Sequence, residues 1–333
     1  MGAKYLVTGA AGHLGSHVVQ ELLSRGQSVR ALILPQVTLP GFINENRPLL
    51  SIRVGDICDP ASLDDLFADL SEPSVVIHCA GLVSISSQPD RRLYDVNVTG
   101  TANIIEQCRK HGVKRLVYVS SVHALPPSPS GQTQREVDLF DPAAVAGPYD
   151  KTKAIATQLV LDAARQGLDA VVVHPSGIIG PHHLPTGNMA QMITRYVTGK
   201  LAVAVRGGFD FVDVRDVASG IIAAAAHGRS GQCYILSNRF VEFREMFDIL
   251  ARMGAPRKLR LYLPLRVARA VAPFAEMYYR FTNSTPLFTR YSLETLSTNG
   301  MFSHDKASRD LGYSVRPLKE TLSDTARWIR DRI

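Results

Sequence analysis

The stretch TGAAGHLG at residues 8–15 decides the fold of this chain. It follows a short β-branched run and leads into apolar residues that recur at helical spacing until Gly26, a residue typical of a helix C-terminus. Because Gly9 and Gly12 lack Cβ atoms, a pyrophosphate can approach the backbone N–H groups at the positive helix end, and Gly15 lets helix and strand pack closely. The stretch therefore predicts a strand–turn–helix unit that binds a dinucleotide.

Outward from this stretch, short β-branched runs alternate with helical patterns over the first 175 residues. This alternation is typical of a parallel sheet with helices on both faces, and the continuous apolar runs at 75–77 and 171–173 suit strands buried on both faces. We predict an α/β fold with a doubly wound parallel sheet of the Rossmann type. The predicted strands are Tyr5–Thr8, Ser28–Leu34, Leu50–Val54, Val75–Cys79, Arg115–Ser120 and Ala170–His174.

The regular alternation stops after Pro175, where glycine- and proline-rich turns mix with shorter helical and strand patterns. Residues 1–175 are therefore expected to form the dinucleotide-binding domain, and residues 176–333 mainly a smaller substrate-binding lobe. Phe209–Val212 and Cys233–Leu236 are predicted strands that return to the main sheet. Residues 209–236 would then belong to the first domain, so that the two lobes are interleaved along the chain.

Two C-terminal segments carry recognisable apolar patterns. Leu318–Ile333 is predicted to be an amphipathic closing helix, because Leu322, Ala326 and Ile329 lie on one face. Leu261–Phe281 is apolar and aromatic but also contains arginines. The favoured interpretation is a helix packed on the substrate lobe. A hydrophobic lid and a surface that touches a membrane stay open as alternatives.

Composition excludes several classes of protein. With 45% apolar and 20% charged residues, no low-complexity tract and no apolar run of the ~20 residues that a transmembrane helix needs, the chain is expected to be globular and neither secreted nor membrane-spanning. Four cysteines without a CxxC or Cys/His pair favour a cytoplasmic setting and no metal site. Residues 239–290 hold ten Lys and Arg against four Asp and Glu, which favours a solvated surface or an anionic ligand over nucleic acid.

Tyr149 and Lys153 are the residues most suggestive of catalysis. They are four apart and so share one helix face, where an ammonium together with a positive nicotinamide favours ionisation of the phenol. Tyr149 can then exchange a proton with a substrate hydroxyl or carbonyl. Ser120 and Ser121 end the fifth strand at the sheet edge where ligands bind, and one of the two is expected to be only a strand-end cap.

The residues that usually select between NAD and NADP are missing from the end of the second predicted strand. Positions 32–35 supply neither the acidic residue that meets the ribose of NAD nor the arginine that meets the 2′-phosphate of NADP. Arg30 is the nearest cation, but the direction of its side chain is open. Asp56 can accept a hydrogen bond from the adenine amino group or simply start a turn. We expect NAD or NADP to bind, with NAD slightly favoured.

These motifs and others along the chain resemble those of the extended short-chain dehydrogenases/reductases, in the NAD-dependent epimerase/dehydratase group. Within that group, the chain is most similar to the dihydroflavonol-4-reductase and 3β-hydroxysteroid dehydrogenase-like branch. The matching segments are TGAAGHLG at 8–15, VGDICDP at 54–60, VIHCAG at 76–81, DVNVTGTANI at 95–104, LVYVSS at 116–121, YDKTK at 149–153, HPSGIIGP at 174–181 and FVDVRDVA at 211–218.

The resemblance implies roles for individual residues. Tyr149 would be the general acid/base and Lys153 would lower its pKa and bind the nicotinamide ribose, while Ser121 would orient the substrate oxygen and Asn97 would support a proton relay. The residues implied to contact the cofactor are Gly9, Gly12, His13, Leu14, Gly15, Asp56, Ile57, Ala80, Gly81, Tyr149, Lys153, Pro175 and Ser176.

Departures from the family narrow the expected substrate. Sugar-nucleotide dehydratases carry an acidic pair directly after the Ser or Thr, where this chain has Val122 and His123, so elimination chemistry lacks its acid. Nucleotide-sugar enzymes also tend to have Asn where this chain has Ser176. His123 is close enough in sequence to Ser121 to touch a substrate, but an exposed loop histidine is the favoured interpretation.

The function expected from the sequence is an NAD(P)-dependent oxidoreductase that interconverts a secondary alcohol and a ketone on a hydrophobic, ring-bearing substrate of steroid or flavonoid-like size. A nucleotide-sugar epimerase and a non-catalytic dinucleotide sensor are the alternatives, and the intact proton-transfer set argues against the sensor. The resemblance also implies a homodimer built from the helices at about 91–110 and 149–165, where Ile155, Leu159 and Val160 add apolar surface.

Overall fold

The computed structural model describes residues 4–70, 73–129, 131–183, 187–256, 259–272, 289–296 and 300–332. Its strands are β1 (Lys4–Thr8), β2 (Ser28–Ile33), β3 (Leu50–Val54), β4 (Ser74–His78), β5 (Arg115–Val119), β6 (Ala170–Pro175), β7 (Gly177–Ile179), β8 (Val203–Val205), β9 (Gly208–Asp213), β10 (Cys233–Leu236), β11 (Arg239–Glu242) and β12 (Leu261–Leu263). Its helices include α1 (His13–Ser24), α2 (Asp64–Phe67), α3 (Arg91–Tyr94), α4 (Gly100–Lys110), α5 (Pro148–Arg165), α6 (Asn188–Val197), α7 (Val214–His227) and α8 (Phe243–Arg252). Further helices cover Arg290–Thr295, Asp305–Leu311 and Leu318–Arg330.

The main sheet has seven parallel strands in the order β3-β2-β1-β4-β5-β6-β10. The predicted doubly wound α/β fold is confirmed. Each of the six strands predicted in the first 175 residues begins and ends within one residue of the observed strand. The strand order reverses between β1 and β4. In open parallel sheets this reversal opens a crevice at the carboxyl ends of the strands, and ligands bind there.

Helices cover both faces of this sheet because successive residues of each strand point to opposite sides. Val76 packs in a cluster with residues of α4 and α5, while its neighbours Val75 and Ile77 pack in a second cluster with residues of α1 and α7. The two valines and the isoleucine are all buried. The continuous apolar run in β4 is therefore explained by burial on both faces.

Only one of the two predicted return strands joins the main sheet. Strand β10 pairs with β6, as predicted for Cys233–Leu236. The prediction for Phe209–Val212 was wrong: β9 pairs with β7 and β11 in a separate three-stranded sheet. Strand β7 begins at Gly177, where a Cβ would lie 2.8 Å from the Asp210 carbonyl oxygen. This close approach lets β9 pair with β7, so it does not reach the edge of the main sheet.

The C-terminal lobe has its own core. Helices α6 and α8 pack with the closing helix Leu318–Arg330, in which Leu322, Ala326 and Ile329 are buried as the spacing predicts. This closing helix is confirmed, and within the described residues it ends at Arg330.

Only part of the ambiguous segment Leu261–Phe281 falls within the described residues. Leu261–Leu263 forms β12 against β8, residues 265–272 are helical, and residues 273–281 lie outside the described part. Ala268 and Ala272 pack against Val205 and Leu293, so this portion is packed on the lobe, as the favoured interpretation expects.

Candidate active site

The glycine loop at residues 8–15 lies directly against the end of β4. Gly9 has φ +66°, and a Cβ on it would lie 2.7 Å from the backbone of Ala80, while a Cβ on Gly15 would lie 2.1 Å from the Gly9 carbonyl oxygen. Helix α1 begins at this loop, with Gly12 as a cap that offers no side chain and no acidic residue in the first turn. A loop whose glycines lack side chains lets the pyrophosphate of a dinucleotide approach the backbone N–H groups, and the positive end of helix α1 attracts its negative charge.

The His13 side chain connects the glycine loop to the segment after β7. Its Nε2 lies 3.0 Å from the Pro181 carbonyl oxygen, and its ring meets the ring of His17 edge-on. Burial lowers the pKa of His13 to about 4, so its ring is neutral near pH 7. The predicted contact of His13 with the cofactor can therefore involve only its backbone or an uncharged ring, and Leu14 beside it packs into the sheet cluster.

The residues predicted near the adenine make local contacts. The Asp56 carboxylate accepts a hydrogen bond of 2.9 Å from the Cys58 N–H, as a turn-forming aspartate does. Ile57 is buried and lies so close to Gly100 that a Cβ there would be 2.6 Å from its side chain. Adenine binding by Asp56 and Ile57 stays a prediction.

Arg30 is not placed to read a 2′-phosphate. Its side chain is buried, and Nη1 donates hydrogen bonds to the carbonyl oxygens of Leu66 and Ala68 at 2.7 and 2.6 Å. Leu34, just beyond the end of β2, is 46% exposed. The strand end next to the glycine loop is therefore apolar at this position.

Lys153 lies where the ends of β4 and β5 meet helix α5. Its Nζ donates hydrogen bonds to the Val119 carbonyl oxygen at 2.9 Å and to the Tyr118 hydroxyl at 3.3 Å. A Cβ on Gly81 would lie 3.4 Å from the same Nζ, which places a predicted cofactor residue beside the ammonium. Burial lowers the pKa of Lys153 to about 8.

Tyr149 is buried on the same face of α5, as the spacing predicts. Burial raises its pKa to about 12, a side-chain hydrogen bond with Ser121 opposes that rise, and the charge of Asp150 adds to it. The Lys153 ammonium, four residues along the same helix, is hydrogen-bonded to β5. That Lys153 lowers the pKa of Tyr149 stays a prediction.

The two serines after β5 have different partners. The Ser120 hydroxyl lies 2.6 Å from that of Thr157 on α5, which makes it the structural member of the pair. Ser121 hydrogen-bonds with Tyr149, and its hydroxyl also accepts a bond of 3.2 Å from the His123 N–H. Of the two, Ser121 is therefore the one placed to hold a reacting oxygen.

Asn97 lies in the π-helical turn Asp95–Thr99 between α3 and α4. It holds the loop after β4 by a reciprocal pair of hydrogen bonds with the backbone of Leu82, and its amide also donates to the Thr152 hydroxyl at 3.1 Å. These contacts connect the β4 loop to helix α5. A proton relay through Asn97 stays a prediction.

Pro175 and Ser176 close the site at the end of β6. The Ser176 hydroxyl donates to the Asp210 carboxylate at 2.6 Å, and burial raises the pKa of Asp210 to about 6. Nothing in the sequence of β9 indicated this partner. A contact of Pro175 and Ser176 with the nicotinamide stays a prediction.

The interpretation of His123 as an exposed loop residue was wrong. Its ring stacks on Phe209 and meets the Tyr149 ring edge-on, with its Nδ1 3.2 Å from the Asp150 carboxylate. Asp150 also accepts a hydrogen bond from the Tyr291 hydroxyl. The sequence analysis missed both Asp150 and Tyr291. The two residues are 141 positions apart, and no local motif marks their contact.

The described residues contain neither a metal-binding cluster nor a membrane-spanning helix. No three His, Cys, Asp or Glu side chains there are grouped so that they could hold a metal ion. No helix among them is long and apolar enough to cross a membrane.

A parallel sheet with a glycine cradle at its switch point, next to a Ser–Tyr–Lys set, defines a dinucleotide-dependent enzyme. The chain belongs to the NAD dependent epimerase/dehydratase family, whose model matches residues 5–237. The resemblance drawn from the sequence motifs is thereby confirmed.

Relatives of known name span nearly the whole chain. It is 30% identical to sterol demethylase protein B of Methylococcus capsulatus, over 98% of each chain. It is 29% identical to a putative dihydroflavonol 4-reductase of Synechocystis and 30% identical to 3 beta-hydroxysteroid dehydrogenase type 7 of Mus musculus, over 98% of this chain and 94% and 95% of theirs. The solved structure of UDP-glucose 4-epimerase from Thermotoga maritima shares the fold, with a TM-score of 0.80 at 22% identity and 99% coverage of both chains.

Proposed function

We propose that the protein is an NAD(P)-dependent oxidoreductase that interconverts a secondary alcohol and a ketone on a hydrophobic, ring-bearing substrate of steroid or flavonoid-like size. The observation that carries this proposal is the convergence of Ser121, Tyr149 and Lys153 beside the glycine cradle. The names of the relatives, which refer to sterols, hydroxysteroids and a dihydroflavonol, support this substrate class.

In this function, each residue of the chain acts on the substrate oxygen or positions another group. Ser121 hydrogen-bonds the oxygen, and Tyr149 removes or returns its proton. Lys153 holds the cofactor ribose, while Asn97 fixes the loop after β4. The glycine loop would hold the dinucleotide, which would supply the hydride chemistry at the carbinol carbon.

The cleft beside Tyr149 supports an apolar substrate. Apolar side chains dominate its lining, and among the described lining residues there is no Lys or Arg. A nucleotide-sugar epimerase needs cations for a diphosphate, so this lining favours the alcohol and ketone chemistry over that alternative. The apolar members of the lining are Val122, Leu125, Pro127, Val145, Ala146, Phe209 and Phe302, and the polar members are His123, Gln134, Asp150, Tyr291 and Glu294.

The experiment that tests the proposal is a screen of the purified protein against ring ketones and secondary alcohols. Absorbance of the reduced cofactor is followed with NAD and NADP in parallel, and steroids and flavonoids are compared with small alicyclic alcohols. Turnover of the ring-bearing compounds is expected. Turnover of nucleotide sugars alone would replace the proposal with the epimerase alternative.

We also propose a cytoplasmic homodimer. The four cysteines are free, which suits a reducing compartment. Ile155 and Leu159 on α5 remain half-buried in the single chain, as a helical dimer face needs. Val160, which was expected to add to that face, is fully buried in the sheet cluster and does not contribute. Light scattering at micromolar concentration should give twice the chain mass, and a single-chain mass would refute the dimer.

A further inference from the structure

His123 is held at the wall of the substrate cleft. It lies on the short 3₁₀ turn Val122–Ala124 that follows Ser121, and the Ser121 hydroxyl accepts its backbone N–H. Its ring centroid is 5.6 Å from that of Phe209 in a stacked arrangement and 5.8 Å from that of Tyr149. The imidazole is thus fixed beside the phenol that moves the substrate proton.

Asp150 fixes the orientation of this ring. Its carboxylate faces His123 Nδ1 at 3.2 Å, and it also accepts the Gly147 N–H at 3.2 Å and the Tyr291 hydroxyl. Because a carboxylate only accepts hydrogen bonds, we assign the proton of the neutral ring to Nδ1, the nitrogen that faces Asp150. In the neutral ring, Nε2 is then a hydrogen-bond acceptor, and no described residue bonds it.

Tyr291 brings the substrate lobe into this arrangement. A Cβ on Gly147 would lie 2.1 Å from its ring, so glycine at this position is what lets the ring lie on the N-terminus of α5. The same segment bonds the loop after β4, where the Thr289 hydroxyl donates to the Ile85 carbonyl oxygen at 2.6 Å. Asp150 and His123 are therefore held from both lobes.

His123, Asp150, Tyr291 and Phe209 all line the cleft beside Tyr149, and the rest of its lining is apolar apart from Gln134 and Glu294. An oriented acceptor in an apolar cleft is costly to desolvate unless a donor of the substrate meets it. The centroids of the His123 and Tyr149 rings are 5.8 Å apart, so a substrate whose reacting oxygen meets Tyr149 carries its neighbouring carbons past the His123 ring.

We propose that His123 is a specificity-determining residue whose Nε2 accepts a hydrogen bond from a second hydroxyl of the substrate, close to the reacting carbinol, and that Asp150 and Tyr291 position it. The inference rests on the proposed function and names its substrate class more narrowly, as an alicyclic alcohol or ketone with a neighbouring hydroxyl.

The test compares three probes on one skeleton: a 3-hydroxysteroid, its 4-hydroxy derivative and its 4-carboxylate derivative. For each, kcat and KM are measured with saturating NAD, and binding of the same three compounds to the protein with NAD is measured by calorimetry. The wild type is expected to favour the 4-hydroxy compound over the parent by about tenfold, mainly through KM, as one hydrogen bond allows.

The variants separate the contact from the fold. H123F keeps an aromatic ring on Phe209 and should bring the preference for the 4-hydroxy compound to near one, whereas H123Q, which has an amide oxygen, should restore part of it. Y291F loses only the hydroxyl that Asp150 accepts, and its preference for the 4-hydroxy compound should lie between those of the wild type and H123F. His227→Phe, at an exposed histidine in the last turn of α7, is the matched control and should leave the preference at its wild-type value.

An unchanged preference in H123F would overturn the inference, while turnover of all three steroids would still support the proposed function. A wild-type preference for the 4-carboxylate compound that H123F removes would show that the ring acts as a cation, and the hydroxyl assignment would be wrong. If no steroid is turned over, the proposed function fails for this class, and the calorimetric preference alone decides the role of His123.

Discussion

The cofactor side and the substrate side of this site are built in different ways. On the cofactor side, the glycine loop at 8–15 turns tightly against Ala80, and backbone atoms make the decisive contacts. On the substrate side, the contacts are between side chains, and His123, Asp150 and Tyr291 come from separate elements. Backbone geometry leaves a local motif in the sequence, but a meeting of distant side chains does not.

The largest effect is expected at Tyr149, where the two sides meet. Tyr149→Phe should lower kcat by about 10²–10⁴-fold, since general acid/base groups contribute that much, and should leave the dissociation constant of NAD nearly unchanged. Steady-state kinetics and cofactor titration measure the two. Tyr94→Phe, at an exposed tyrosine, is the control. Retention of most of the activity by Tyr149→Phe would rule out the mechanism.

On the cofactor side, Gly15→Ala should destabilise the fold by about 3 kcal/mol and weaken NAD binding, because the new Cβ would lie 2.1 Å from the Gly9 carbonyl oxygen. Urea unfolding and cofactor titration measure both effects. Gly41→Ala is a matched control, since a Cβ at Gly41 meets nothing within 4 Å. Equal stability of the two variants would contradict a cradle fixed by close backbone contact.

The acid stability of the cofactor side should depend on its buried histidines. Burial lowers the pKa of both His13 and His17 to about 4, below the ordinary 6.5, so the unfolded chain binds more protons between pH 6.5 and 4. Stability should therefore be constant above pH 7 and fall as the pH drops through this window.

Removing one of these histidines should weaken that dependence. His17→Asn keeps a donor for the His13 carbonyl oxygen and should reduce the acid loss by about 1 to 2 kcal/mol. Urea midpoints at pH 7.5, 5.5 and 4.5 measure it. The same slope in wild type and variant would show that His17 is not the group that titrates.

On the substrate side, Gly147→Ala should displace Tyr291 and raise the KM for substrate by about tenfold, or ~1.4 kcal/mol, with NAD affinity retained. The reason is that the new Cβ would overlap the Tyr291 ring but no part of the glycine loop. Adding Tyr291→Ala should remove the clash, so the double variant should be no worse than Tyr291→Ala alone. A loss of NAD affinity as large as that of Gly15→Ala would erase the distinction between the two sides.

The smallest effect is expected in coenzyme choice. With an apolar strand end at Leu34 and Arg30 bonded elsewhere, the wild type should discriminate between NAD and NADP by less than about a hundredfold, with NAD slightly preferred. Leu34→Arg should shift the ratio of kcat/KM values toward NADP by about tenfold, through a charge-assisted bond to the 2′-phosphate. A wild-type ratio above about a thousand in favour of NADP would show that a distant residue binds the phosphate.

Most of the fold could be predicted because its signals are local. Apolar runs, the spacing of Leu322, Ala326 and Ile329 and the glycine loop each specify an element by neighbouring residues alone. The pairing of β9 could not be predicted, because an apolar strand can join any open edge. The geometry at Gly177, visible only in three dimensions, makes β7 the edge that it joins.

The sequence by itself determined the doubly wound sheet, the cradle at residues 8–15 and the Tyr149–Lys153 pair, since each depends on residues a few positions apart. Only the tertiary structure decided that Ser120 faces Thr157 while Ser121 faces Tyr149, and that the half-buried His123 ring stacks on Phe209 and faces Asp150. The physical reason is that side-chain hydrogen bonds and ring contacts depend on how separate elements pack, and the spacing of residues along one element does not encode that packing.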